Sequence, residues 1–355
     1  MGSMEVKLRT LTPLWTGGVA GKVDRIHETG ILGGLRWWYE VIVRGLGGDV
    51  CDPNQGKCSF DAEKYAKSRA SDKRQRLRDA GLCDVCQVFG ATGWRRRFRL
   101  TIIDKTQRDT SAPEQISADR PVNPKTKREP TWWFPDYPRD SNLTIRVESL
   151  ASDFHPEVIG GLIQFIADWA ALGARAQMGF GVIKPVNGRI DTELLFEWLK
   201  PITGTNSYPG FPSLRNIFLA RISPKKGRQF SEQDTFNLKY DVRQLFAGQQ
   251  NASLRHFVMG TAEGKRMAAK VKMSRPHKGR SEIRVWGWIP ERANAYRRNW
   301  DRESVVRGIY DHLNTNYTLQ VWREMNSSWD MNTPNNDDAQ AFLGSLLMME
   351  EENAA

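Results

Sequence analysis

The hydrophobic residues of this chain change period in one order, and the chain runs through that order twice. Period two marks a strand at Val6 to Leu11. Period 3.6 then marks a helix from about Gly30 to Leu46, with Ile31, Leu35, Trp38 or Tyr39, Ile42 and Leu46 on one face. Arg97 to Asp104 and Leu143 to Leu150 alternate as strands, Val158, Ile159, Leu162, Ile163, Ile166 and Trp169 recur at helical spacing, and Phe180 to Pro185 closes the unit as a strand. The second pass reads strand at Ile217 to Ile222, helix near Phe236 to Phe246, and strands at Met267 to Met273 and Ile283 to Ile289. A helix carrying Val305, Val306, Ile309, Tyr310 and Leu313 follows, opened by Asp301 as N-cap, and then a strand at Thr318 to Trp322. Each pass is βαββαβ.

The predicted class is therefore α+β: two ferredoxin-like, RRM-like domains with insertions. Each should have two helices on one face of a four-stranded antiparallel sheet, with the other face free to meet a partner. A length of 355 residues suits two such domains, placed here at 1–190 and 191–330, with an acidic C-terminal tail or short helix at 331–355. With 39% apolar and 26% charged residues, the composition excludes global disorder. The longest apolar stretch, Val158 to Ala174, is broken by Gln164 and Asp168 and falls short of the roughly 20 residues a bilayer span needs. The start, Met1-Gly2-Ser3-Met4, reads as an expression scar rather than a secretory signal, and the cytoplasm is the expected location.

Charge narrows the partners. Residues 1–190 hold 29 basic and 22 acidic side chains, residues 191–329 hold 23 and 13, and residues 330–355 hold 0 and 6. Both bodies are basic, which favours polyanions through counterion release. In Trp94-Arg95-Arg96-Arg97-Phe98-Arg99-Leu100, a strand would put Arg95, Arg97 and Arg99 on one face as a guanidinium ladder. Phe98, Leu100 and Ile102 would then face the core. Such forks suit single-stranded RNA, and a solvated charged strand is the bland alternative. The loop Gly173 to Gly181, which contains Arg175 and Gln177, could form an anion-binding turn or merely a tight one. Arg36 lies one turn into the first helix, and of the adjacent Trp37 and Trp38 only one can face the core. Lys270 and Lys272 share a strand face, and Arg275, His277, Lys278 and Arg280 crowd the following hairpin turn, which could reach RNA or a neighbouring subunit or serve solubility alone.

Cys51, Cys58, Cys83 and Cys86 fall in a charged insertion at about 48–94. Their pairing offers four thiolates to a structural zinc, with disulfides or free structural cysteines as the alternatives. Residues 62–80, with seven basic side chains, read as a solvated helix or loop. No enzyme signature appears. Asp24 and His27, in the loop before the first helix, are the residues to weigh as catalytic candidates.

Four ordered blocks resemble the RAMP superfamily of CRISPR proteins, and more narrowly the first RAMP subunits of type III-B (Cmr) effector complexes. They are Thr12-Pro13-Leu14-Trp15-Thr16-Gly17-Gly18, Glu28 to Trp38, Cys83 to Trp94 and the glycine loop at 173–181. The resemblance covers residues 6–185 and implies two ferredoxin-like domains. It also implies a non-catalytic place in an RNA-guided antiviral complex, near the 3′ end of the guide, with guide or target RNA and other RAMP subunits as partners. In related slicing subunits an aspartate in the loop corresponding to that of Asp24 takes part in metal-dependent RNA cleavage, so the alternative is an endoribonuclease using Asp24 or His27.

Overall fold

The structure, a computed structural model, describes residues 2–18, 22–52, 58–122, 127–246, 252–262, 264–278, 282–293 and 300–348. The first sheet comprises β1 (Ser3–Thr10), β2 (Phe98–Arg108), β5 (Arg139–Ser149) and β6 (Ile183–Pro185), hydrogen-bonded in the order β2-β5-β1-β6. Between β2 and β5 runs a small hairpin, β3 (Gln115–Ser117) and β4 (Thr131–Trp133). The second sheet comprises β7 (Ile217–Ser223), β8 (Val271–Met273), β9 (Ile283–Trp288) and β10 (Thr318–Arg323), in the order β10-β7-β9-β8. All pairings are antiparallel. Counting strands within each sheet, both run 4-1-3-2, so each main helix crosses from one strand to the next but one.

The first sheet carries α1 (Glu28–Gly45) and, from the insertion, α2 (Ala62–Lys67), α3 (Lys73–Asp79) and α4 (Asp84–Phe89), followed by α5 (Glu157–Trp169) and α6 (Glu193–Leu199). The second carries α7 (Glu232–Gln244), α8 (Ala252–Met259) and α9 (Arg302–Asn316), and α10 (Ala339–Leu347) ends the described chain. The predicted α1 stripe of Ile31, Leu35, Trp38, Tyr39, Ile42 and Leu46 is buried. Trp38 packs edge-on against Phe165, and the Asp301 side chain caps α9 by accepting from Ser304 N at 3.2 Å.

Three expectations are corrected. The open face of the second sheet is not free, because Ile217, Leu219 and Trp286 join the hydrophobic cluster of the first half. From that sheet Arg284 donates to Ala167 O at 2.6 Å and Arg221 to Asp168 O at 2.9 Å, while Arg323 lies over the Trp169 ring. These cations meet the carbonyl end of α5, where the helix dipole is negative. The guanidinium ladder also does not form. The strand begins at Phe98, so the alternation that buries Phe98 and Leu100 does not reach back to Arg97, which is itself buried. Finally, residues 62–80 are not wholly a solvated helix or loop: α2 buries nothing, but Leu77 of α3 belongs to the first core, as do Leu82, Val85 and Val88 just beyond.

A third cluster joins the halves. Trp15, Val23, Phe134 and Phe180 of the first meet Phe236 of α7, and the β3–β4 hairpin reaches over α7, where Arg120 pairs with Asp241 at 2.6 Å. Helix α10 also packs against the first half: Leu346 O accepts from Trp169 Nε1 at 3.0 Å and Leu347 O from Arg189 at 2.7 Å.

Candidate functional site

A cleft of about 1420 Å³ opens between the two halves. One wall is the N-terminal half of α1 (Gly30, Gly33, Gly34, Trp37, Trp38) with the glycine loop (Gly173, Ala174, Ala176, Gln177, Met178). The opposite wall comes from α7, α8 and the second sheet, with Lys239, Tyr240, Arg243, Arg255, Lys272 and Trp288, and the segment 128–132 closes one side. Glycines along α1 leave its wall open, and of the two adjacent tryptophans on it Trp38 is buried in the core whereas Trp37 is only half-buried.

Lysines lie beside indoles at this space, Lys239 and Lys272 on its lining and the buried Lys270 behind Trp288. The Lys272 ammonium lies 5.0 Å from the Trp37 ring centroid, Lys270 lies 5.3 Å from Trp288, and Lys239 lies 5.7 Å from Trp132. Burial lowers the pKa of Lys272 to about 8, and burial with the nearby Lys272 charge does the same to Lys270. Burial, helped by Arg243, lowers Lys239 to about 7. Lys270 is tied down by Phe257 O at 2.8 Å and Lys239 by the Gln177 carbonyl, whereas Lys272 lies on the cleft wall beside the Trp37 ring. Cations beside aromatic faces in a groove give phosphates and unstacked bases what each needs.

The remaining residues singled out from the sequence are scattered. Arg175 adopts a left-handed backbone (φ 58°) and lays its guanidinium 4.3 Å from the Trp15 centroid, between the cleft-lining Ala174 and Ala176. The loop's amides are partly spent internally, Ala174 N on Trp15 O and Gly181 N on Pro13 O. Arg275 is buried, not a turn cation open to RNA. It donates to Glu232 at 2.8 Å and sits 4.3 Å from the Phe180 centroid, and its amide meets Gly179 O so closely that a Cβ on Gly179 would lie 2.6 Å from Arg275 N. Lys278 reaches the first half through Asp140, and its amide bonds Leu11 O, so the hairpin turn docks within the chain. Arg280 lies outside the described residues. Arg97 bonds Asp153 at 2.7 Å and Gln87 O, Trp94 donates to Gln87 O at 3.0 Å, Arg95 to Leu150 O, and Arg99 lies 3.9 Å from Glu148.

Arg36 belongs to a different site. Its Nη2 donates to Cys86 Sγ at 3.3 Å, and the sulfurs of Cys51, Cys58, Cys83 and Cys86 lie within 4.8 Å of one another. Sulfurs around tetrahedral zinc, at about 2.3 Å each, stand roughly 3.8 Å apart, and Cys51 and Cys86 are separated by 3.8 Å. Backbone amides of Cys83 and Cys86 point at the sulfurs of Cys58 and Cys83, each at 3.4 Å. Hydrogen bonds with Cys83 and Cys86 lower the Cys51 pKa, while the same contacts, with burial, raise that of Cys86. Four soft donors, amide hydrogen bonds and a guanidinium to offset charge fit a metal such as zinc.

Asp24 and His27 are brought together, Oδ1 to Nε2 at 2.7 Å, and this bond lowers the Asp24 pKa. Arg25 pairs with Glu28 instead, at 3.1 Å. Among the described residues no third metal-ligating group gathers with them, the four cysteines being the cluster of that kind.

The RAMP superfamily model matches residues 7–184, half of the chain. The chain belongs to the RAMP superfamily. Among solved structures this RAMP protein is similar to Cmr1 from Pyrococcus furiosus, at 13% identity and a TM-score of 0.48, covering 88% of this chain and 97% of that one. It is also similar to a chain of the Type III-B Cmr-beta complex bound to cognate target RNA and AMPPnP, at 12% identity and a TM-score of 0.43, covering 88% and 98%. A chain of a Type IV-B CRISPR complex follows at 11% and 0.31, covering 52% and 89%. No curated protein matches the sequence. No helix among the described residues is long and apolar enough to cross a membrane.

Sequence reading missed Trp132, Lys239, Tyr240, Arg243, Arg255 and Trp288 as cleft residues. Each sits in an ordinary amphipathic or mixed stretch, and only the packing of α7, α8 and β9 against α1 brings them to one space. The available signal was compositional: an aromatic-rich chain with a basic second half.

Proposed function

We propose that this RAMP protein is a non-catalytic RNA-binding subunit of a type III-B CRISPR ribonucleoprotein, holding guide or target RNA near the 3′ end of the guide in antiviral defence. Its partners would be that RNA and other RAMP subunits, and its setting the cytoplasm. The observation that carries the reading is the cleft, with Lys272, Lys239, Arg243 and Arg255 set among Trp37, Trp132, Tyr240 and Trp288. Phosphates would pair with the cations, and bases would stack on the rings. The domains involved are read as two ferredoxin-like, RRM-like units, 1–190 and 191–330, since each sheet's 4-1-3-2 order with a helix after its first and third strands is the split βαβ arrangement. The cleft residues Gln177 and Lys272, with Arg175 beside them, are the RNA contacts retained from the sequence; Arg97 and Arg275 are assigned to packing. Structural zinc is assigned to Cys51, Cys58, Cys83 and Cys86, where it would tie the insertion to α1 through Arg36.

The test is binding of labelled single-stranded RNA to the full chain and to the double variant Trp37→Ala, Lys272→Ala. A large loss of affinity in the variant supports the cleft, and equal affinity removes it. The Asp24–His27 pair supports a second reading, a metal-dependent endoribonuclease. With Mg²⁺ or Mn²⁺ and excess RNA, the scaffold reading expects intact RNA; turnover abolished by Asp24→Ala would establish the enzyme instead.

A further inference from the structure

The open face of the first sheet is polarised. At one end each outward charge has a partner across the strands: Arg146 meets Glu5 at 2.5 Å and Arg99 lies 3.9 Å from Glu148. At the other end the register places Lys105, Asn142, Arg9 and Lys184 in one row across all four strands, with Ile103, Thr144 and Lys7 in the next. Lys7, Arg9 and Lys105 are exposed and Lys184 half-buried, and among the described residues none of the four has an ion pair. The nearby carboxylate, Asp140, is already taken by Lys278 and Thr10. Arg9 stands directly opposite Lys184, an arrangement of like charges that destabilises a sheet. The molecule puts opposite charges in the equivalent positions a few residues away, so the row costs stability unless an anion lies over it.

We propose that this cationic row is a second RNA contact, one that grips phosphodiester backbone without reading bases. The proposal rests on the RNA-binding reading above and extends it to a surface outside the cleft. Three features favour RNA over an acidic protein. The outward positions of the four strands hold no Phe, Tyr or Trp on which a base could stack, so only the backbone has something to bind. Three of the four cations are lysines, which protein interfaces tend to exclude and phosphates accept. Asn142 and Thr144 add neutral donors of the kind that accompany phosphate contacts. With neighbouring strands about 4.8 Å apart, the row spans roughly 14 Å, enough for more than one phosphate.

The experiment compares the full chain with the quadruple variant Lys7→Ala, Arg9→Ala, Lys105→Ala, Lys184→Ala, and with Arg146→Ala from the paired end of the same face. Affinity for a long single-stranded RNA is measured against salt concentration. Each phosphate contact contributes about 0.7 to the slope on a single strand, so four lost contacts should flatten it by roughly 3. Arg146→Ala should leave the slope unchanged, and the quadruple variant should melt no lower than the parent. Because Trp37→Ala, Lys272→Ala is measured beside them, loss of the cleft effect with the row's effect intact would separate the two readings. An unchanged slope in the quadruple variant overturns the proposal. So does loss of a co-purifying protein subunit with RNA binding untouched, which would make the face a protein interface, and so does an unaltered chain that binds no RNA.

Discussion

Replacing Lys272 by Arg should abolish a pH dependence of RNA binding expected of the native chain. The Lys272 ammonium stands beside Trp37 in the cleft, and burial has lowered its pKa to about 8. A phosphate bound there would restore the proton, because a nearby negative charge favours the charged form. Near pH 7 the unbound lysine is about nine-tenths protonated and near pH 9 about one-tenth, so affinity should fall about tenfold across those two units. At pH 8 binding should take up about half a proton. Calorimetry with an adenine oligonucleotide at constant ionic strength, in two buffers of different ionisation enthalpy, reads both quantities. Arginine stays charged throughout, so Lys272→Arg should bind with a nearly flat profile. Lys270 and Lys239 titrate nearby but are anchored to Phe257 O and Gln177 O, and they remain in the variant as an internal control. If wild type and Lys272→Arg lose affinity in parallel from pH 7 to 9, the lysine does not face the RNA and the cleft argument fails.

Without RNA the sign reverses. Lys272 and Lys270 have folded pKa values depressed from 10.5 to about 8, so the unfolded chain holds more protons between those limits. Melting temperature should therefore gain from these groups as pH rises from 8 to 10.5 and lose that gain as pH falls, a trend that Lys272→Met should weaken. Protein purified without chelators should contain near one equivalent of zinc. Cys83→Ser should release it and, because Val85 and Val88 of the same helix are core residues, lower the melting of the whole first half rather than loosen the insertion alone. Phe180→Ala, which empties the cluster joining the halves and uncovers Arg275, should cost about 3–5 kcal/mol in chemical denaturation; a cost below about 1 kcal/mol would mean that the halves are not held there.

The two βαββαβ passes were legible because strand and helix periodicity are local: the buried stripes of α1 and α9, the apolar run of α5 and the alternation in β1 and β5 are each written in neighbours a few residues apart. The cysteine spacing likewise pointed to four thiols that do converge. Charge patterns were less readable, because the same arginine is a surface cation or a buried cap according to what the rest of the chain brings to it. Arg99 stayed outside, whereas Arg97 was drawn to Asp153 and Arg275 to Glu232 beneath a layer of aromatic rings. Nothing near residue 284 or 221 in sequence announces the end of α5, some 50 or more residues away, that both arginines cap. The elements and the membership of the cysteine cluster thus follow from local pattern and residue chemistry. The cleft, the closure of the second sheet's face and the polarity of the first depend on how two separately encoded units pack, and long-range packing leaves no period in the chain.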